Sequence, residues 1–337
     1  MRESGRLPAV VKTRAATQRD VAGLAGVDRA TVSRALDPRR RHLLAQDTVQ
    51  RVLDAADALR YRPNTLARGL RTQRSGIVCL SVPQLVMEQA TGFIAGAEDQ
   101  LRRGGLALLM AFDTDAALLS DSNGLIDGTI ALTAETPSAD AAAFPGPLVR
   151  VGFDPRLGTD VTIDHRRGIG IAVEHLYRLG HRRIAIICEP ESTAAGQRNR
   201  ASFAEAVSAL QDEIQPSVAT FQPSRPSSAW EAGQSLLKRR GGPTGIVVAD
   251  DAAAAGCYGA ARTLALRIPE DVSIVGYGDS AAAPYLLPPL TTISVPARAA
   301  GRRAAAALLE RLAGRSAPPV TLTPHLVQRG STAPPAG

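Results

Sequence analysis

Between Thr17 and Leu36 apolar residues recur at helical spacing in two short runs, interrupted at Gly26. Val21 and Ala25 share a face of the first run, Val32 and Ala35 a face of the second, and Val27 stands in the turn. Thr17 can cap a first helix over 18–25, and Gly26 falls where a helix must end with a positive φ. The second helix is expected over 29–36. A third runs from Asp47 to Arg60, with Val49, Val52, Leu53, Ala56 and Leu59 on one face. Pro63 blocks its continuation, and Asn64 can cap a short helix over 64–70.

After Arg74 the pattern changes. Apolar runs of strand length at 76–82, 106–112, 127–132 and 148–153 accompany a helix at 92–103. A second series follows. Helices at 166–179, 198–210, 229–239 and 252–265 alternate with strands at 183–189, 217–221, 245–250 and 272–278. A helix at 297–313 and a strand at 325–329 close the chain. Strands alternating with helices predict parallel sheets covered on both faces. The restart predicts two α/β lobes behind an all-α head.

Charge sharpens that division. Of the net +7, residues 1–74 carry 16 Lys and Arg against 7 Asp and Glu, while the remainder carries 23 against 25. A basic module on a near-neutral body points to a polyanion held at one end. Two short helices joined at Gly26 have helix-turn-helix spacing, and a second helix held that way can enter the DNA major groove. Cys79, Cys188 and Cys257 are sparse and lie within apolar runs, which argues for buried thiols in a reduced compartment. No apolar run is long enough to span a bilayer, and residues 1–16 have the basic character of a disordered arm rather than a secretion signal. A cytoplasmic protein without membrane partner or cofactor is expected.

Five segments in order, DVAGLAGVDRATVSRAL, YRPNTLARGLR, VEHLYRLGHRRIAII, IPEDVSIVGYGDS and PPLTTISVP, resemble the LacI/GalR family of bacterial transcription regulators. The likeness covers the chain from Thr17 to Thr332. It implies a helix-turn-helix head with a hinge helix, followed by a two-lobed core like periplasmic sugar-binding proteins, with Rossmann-like parallel-sheet lobes. It further implies a repressor that binds a palindromic double-stranded DNA operator as a homodimer and responds to a small effector between the lobes. The boundaries expected are 1–16 for the arm, 17–61 for the head and 62–74 for the hinge. The N-lobe takes 75–163 and 293–318, the C-lobe 164–292 and 319–332, and the tail 333–337.

The resemblance assigns Arg29, Ala30 and Arg34 to base edges. Arg suits bidentate contact to guanine, and Ala30 offers only a methyl contact. Thr17, Thr31, Ser33 and Asn64 match positions that hold phosphates. In the hinge, Leu70, beside Ala67 and Arg68, fits insertion into the minor groove, or alternatively a linker leucine packed on the core. Asp37 departs from the family pattern, since a carboxylate there repels phosphate. Ala45 replaces a capping residue, with Asp47 as a substitute. The run Arg39 to His42 either restores phosphate contacts or is a solvated loop.

The effector positions depart further. Asp250 stands where the family has Asn, Gly278 where it has Asp, and Asn199 where it has Arg, flanked by Arg198 and Arg200. Gln89 and Ala90 replace an aromatic pair. Gln84, Arg198, Asn199, Asp250, Asp279 and Tyr285 are the candidate effector contacts. Either the ligand differs from a common hexose, as a sugar-like or other polar metabolite, or a protein partner has taken its place. An enzyme is disfavoured: no metal-type His pairing exists, and no nucleophile elbow or phosphate loop. His175 and His181 bracket a helix C-terminus, a structural placement. A solute-binding protein would lack the head.

Overall fold

The computed structural model describes residues 16–37, 40–61, 74–82, 87–112, 125–132, 144–210, 214–225 and 227–336. The chain divides into two compact units between Thr72 and Gln73.

The first unit is a helical head. Helices α1 (Gln18–Ala25), α2 (Arg29–Ala35) and α3 (Gln46–Ala58) pack Val21, Val32, Ala35 and Val52 into a fully enclosed core. Their starts and stops follow from local chemistry. Thr17 and Asp20 form a reciprocal capping box on α1, and Gly26 ends that helix with φ 64°. The Asp28 carboxylate caps α2 through the Thr31 N–H at 2.8 Å. Helix α3 begins at Ala45 without a side-chain cap, and Asp47 instead bonds the N–H of Thr48 at 2.7 Å. The arm, Arg39, the hinge with Asn64, Ala67, Arg68 and Leu70, Gln84, and most of the segment between Asp113 and Asp127 lie outside the described residues.

The second unit holds two six-stranded sheets. Strands β1 (Ile77–Val82), β2 (Ala107–Phe112), β3 (Gly128–Leu132), β4 (Leu148–Gly152) and β5 (Val161–Ile163) belong to the N-lobe. Strands β6 (Arg183–Cys188), β7 (Gln215–Thr220), β8 (Gly245–Val248), β9 (Ser273–Gly278) and β10 (Thr291–Ser294) belong to the C-lobe. Strand β11 (Val320–Leu322) returns to the N-lobe, and β12 (His325–Val327) to the C-lobe. The orders are β11-β5-β4-β3-β1-β2 and β12-β10-β9-β8-β6-β7. Among the described residues all strand pairings are parallel except β10 with β12.

Helices α4 (Met87–Arg103) and α9 (Ala297–Leu312) pack side by side on the N-lobe sheet. The C-lobe sheet is covered on both faces. Ile184, Ile186 and Cys188 turn toward α5 (His165–Arg178) and α6 (Ala194–Ser208), while Ala185 and Ile187 turn toward α7 (Ser227–Leu237) and α8 (Asp251–Thr263). That alternation is the two-residue period of a strand buried on both sides.

Three expectations change. The C-lobe does not take all of 319–332, because Val320–Leu322 pairs with Val161–Ile163 and extends the N-lobe sheet. The first core helix starts at Met87 rather than 92, so Gln89 and Ala90 lie inside it. Strands β5, β10 and β11, of three or four residues each, are additions to the expected series. The chain crosses between lobes three times, after β5, β10 and β11.

Candidate functional site

In the head, burial of Val32 and Ala35 against α1 and α3 leaves Arg29, Ala30 and Arg34 exposed on the opposite side of α2. The side chains assigned to phosphates are partly committed within the protein. Thr17 donates its hydroxyl to Asp20 at 2.7 Å, and Thr31 donates to Asp28 at 2.9 Å. A phosphate would take these donors over from a carboxylate. The N–H and hydroxyl of Thr31 together hold the Asp28 carboxyl below its ordinary range. Asp37 is not left bare. Its carboxylate lies 4.0 Å from Arg40, and its carbonyl accepts the N–H groups of Arg40 and Arg41. Arg41 in turn donates from Nε to the Ala35 carbonyl at 3.0 Å, tying the basic loop to the end of α2.

In the core, the strand order reverses between β6 and β8, and ligands of open α/β sheets bind outside the carboxyl ends of strands at such a point. Glu189 follows β6 there, and Asp250 follows β8. Gly196 lets the first turn of α6 press on the Glu189 and Pro190 carbonyls, where a Cβ would collide. Asn199 on α6 joins two neighbours. Its amide nitrogen donates to Glu189 at 2.8 Å, so its oxygen accepts from His165 Nε2 at 2.6 Å. His165 therefore carries its proton on Nε2. Burial pushes its pKa down to about 4, which keeps the ring neutral at physiological pH.

The His165 ring lies 4.7 Å from that of Tyr277 and 5.7 Å from that of Phe153. Phe153 follows β4 and is the N-lobe's contribution to this cluster. Arg198 stacks on it, guanidinium to ring centroid 4.5 Å, and burial lowers the Arg198 pKa to about 10. Burial raises the Glu189 pKa, with the charge of Asp250 adding to the effect.

Of the expected effector contacts, Arg198, Asn199 and Asp250 meet at this edge. Asp250 caps α8 through the Ala253 N–H at 3.0 Å. Asp279 is turned to Arg329, which donates to it at 2.6 Å. Tyr285 stands 84% exposed, and neighbouring Leu287 88%. Asp251, adjacent to Asp250, points elsewhere: it accepts from Thr292 at 2.7 Å and the Ser280 N–H at 2.6 Å, bracing the loop after β9. The fold also brings Phe153, Glu189, His165 and Tyr277 to this edge, which the sequence does not single out. The one signal available was position, since each ends a strand or opens a helix at a sheet's carboxyl edge. His175 and His181 serve the fold, bonding Thr332 at 3.0 Å and the Ala333 carbonyl at 3.0 Å. All three cysteines are buried and free.

The model of bacterial regulatory proteins of the lacI family matches residues 17–64, and that of the periplasmic binding protein-like domain matches residues 173–332. The HTH-type transcriptional regulator MalR of Streptomyces coelicolor is 34% identical, over 93% of this chain and 96% of that protein. The chain belongs to the lacI family of bacterial regulatory proteins. The HTH-type transcriptional repressor PurR of Haemophilus influenzae is 29% identical to this lacI-family regulator, over 94% of this chain and 98% of its own length. Among solved structures, the Lac repressor bound to ONPG in the repressed state matches with a TM-score of 0.81 and 26% identity, covering 95% of this chain and all of that one. This lacI-family chain is a DNA-binding transcription regulator with a helical head and a two-lobed effector-binding core. Its relatives are regulators, not enzymes. Among the described residues, no helix is long and apolar enough to cross a membrane, and no cluster of His, Cys, Asp or Glu could hold a metal.

Proposed function

We propose that this regulator is a cytoplasmic repressor that binds a palindromic operator as a homodimer and changes its operator affinity when a small ligand occupies the cleft between its lobes. The observation that carries the reading is α2, with Val32 and Ala35 buried and Arg29, Ala30 and Arg34 presented outward. These three read bases, while Thr17, Thr31, Ser33 and Asn64 hold phosphates and set register. Leu70, with Ala67 and Arg68, enters the minor groove at the operator's centre, at a flexible pyrimidine–purine step. The head spans 17–61 and the hinge 62–74.

The dimer is supported by apolar side chains that a monomer has no reason to expose: Tyr285 and Leu287 on the C-lobe, and Leu109 and Met110 on edge strand β2. The ligand is supported by the relative that carries ONPG. Within the cleft, Arg198, Asn199 and Asp250 remain ligand candidates, joined by Glu189, His165 and Tyr277. The two lobes respond to a ligand only if it binds their open and closed arrangements with different affinity.

Selection of bound duplexes from a random library, at stated salt, tests the reading. A palindrome with a flexible central step is expected. Enrichment of single, unpaired half-sites removes the dimer, and salt-sensitive binding without enrichment removes sequence specificity.

A further inference from the structure

The carboxyl edge of the C-lobe sheet gathers several carboxylates, and a described cation there, Arg198, is stacked on Phe153 rather than paired with Glu189. Of the described helices that begin at this edge, α5, α6 and α8 adjoin the His165–Asn199–Glu189 cluster, and their N-termini would ordinarily favour an anion. Each is instead capped from within, by Asp164 at 2.9 Å, Thr193 at 3.0 Å and Asp250 at 3.0 Å, and two of those caps are carboxylates. Between α6 and α8, at the point where strand order reverses, stands a further carboxylate, Glu189. Its partner among the described residues is an amide, Asn199, and no ion pair reaches it. A largely buried carboxylate without a cation is costly to hold.

A second observation lies in the same cluster. The Tyr277 hydroxyl is buried and has no hydrogen-bond partner among the described residues, although Tyr277 is only 7% exposed. Gly168 makes room for that hydroxyl beside the first turn of α5. Buried hydroxyls are normally paired, and one left open beside His165 at a sheet's switch point marks a place for a polar ligand atom.

We propose that this edge binds a small polar ligand through a protonated amine, with the Glu189 carboxylate as its anchor, Asp250 as a second acceptor and Tyr277 bonding a neighbouring polar atom. The proposal rests on the reading of the cleft as the effector site, and it names the ligand's chemical class. An ammonium group supplies the charge that Glu189 lacks, through a charge-assisted hydrogen bond that a neutral hydroxyl cannot match. A phosphate or carboxylate set on Glu189 would meet like charge there and at Asp250, and would be drawn instead toward Arg198.

The test uses the full chain and four probes, D-glucosamine and putrescine with their neutral counterparts D-glucose and 1,4-butanediol, titrated calorimetrically against wild type and Glu189→Gln. The Gln amide oxygen can still accept from Asn199, so the variant keeps the local bond. An amine probe is expected to bind wild type about tenfold or more tightly than its neutral counterpart, with that advantage lost in Glu189→Gln. The unliganded variant is expected to unfold at a higher temperature than wild type, because an uncompensated charge has been removed. A purely structural carboxylate would give the opposite shift. Equal binding of amine and neutral probes, an amine bound equally by both proteins, or no binding of either amine at millimolar concentration overturns the proposal. A neutral probe that binds and alters operator affinity would remove the amine while leaving ligand control intact. Failure of the duplex selection would instead remove the reading as a dimeric repressor on a palindromic operator.

Discussion

Gly96 lies so close to the backbone of Arg298 that a Cβ on the glycine would overlap the Arg298 carbonyl oxygen. Gly301 stands in the same relation to the Phe93 carbonyl, so α4 and α9 cross at backbone contact from both sides. Glycine inside a helix ordinarily costs about 1 kcal/mol relative to alanine. Here the clash decides the sign. Gly96→Ala is expected to lower stability by about 1–3 kcal/mol, the range for overpacking a tight interface. Chemical denaturation of the full chain measures it, and unchanged or increased stability would contradict the crossing geometry.

Arg34 is exposed on the face of α2 opposite the buried Val32 and Ala35. Arg34→Ala is expected to weaken specific operator binding by about 1–3 kcal/mol and to relax preference at one base pair in each half-site. Duplex selection with the variant reads both effects. An unchanged base preference would place Arg34 off the bases.

His165 makes stability depend on pH in a stated direction. Its folded pKa, about 4, lies below the ordinary 6.5, so between these values the unfolded chain binds a proton that the folded chain refuses. Its contribution is complete above pH 6.5 and is lost as pH falls toward 4, on the order of 3 kcal/mol. His175 and His181 shift the same way through burial. Glu189 and Asp251, raised by burial, act oppositely, holding protons in the folded state as pH falls. A His165→Gln variant isolates the histidine. The stability advantage of wild type over the variant should shrink between pH 7 and pH 4.5 in urea melts, and a constant gap would refute the assignment.

Tyr285 and Leu287 are exposed side by side on the C-lobe. Replacing them with Arg and Asp is expected to give a monomer by sedimentation, with operator affinity reduced to that of a single head. A dimer of unchanged strength would move the interface elsewhere.

The head was legible because its rules are local. Capping by Thr17, the left-handed turn at Gly26 and the spacing of Val21 with Ala25 and of Val32 with Ala35 all act within a few residues. The long strands were legible for a similar reason, as apolar runs between helices. Strands β5, β10 and β11 were not. They are three or four residues long, and β11 becomes a strand only by pairing with Val161–Ile163, more than 150 residues earlier. The cleft was legible in part. The resemblance names Arg198, Asn199 and Asp250, which the fold brings to one sheet edge, whereas Asp279 turns to Arg329 and Tyr285 to solvent. Glu189 and Phe153 read as strand ends, and their juxtaposition with His165 and Asn199 exists only in the folded chain.

The three crossings between lobes also set an order of events during synthesis. The N-lobe sheet begins with Ile77–Val82 but acquires its last edge strand at Val320–Leu322, and helix α9 arrives only from Ala297. A ribosome must therefore release nearly the whole core before either lobe is complete, since the C-lobe also waits for Thr291–Ser294 and His325–Val327. The head, whose core is built from its own three helices, can fold long before. A nascent chain stalled midway would then present a finished DNA-binding module tethered to two unfinished lobes, and a late premature stop would damage both lobes together rather than one of them.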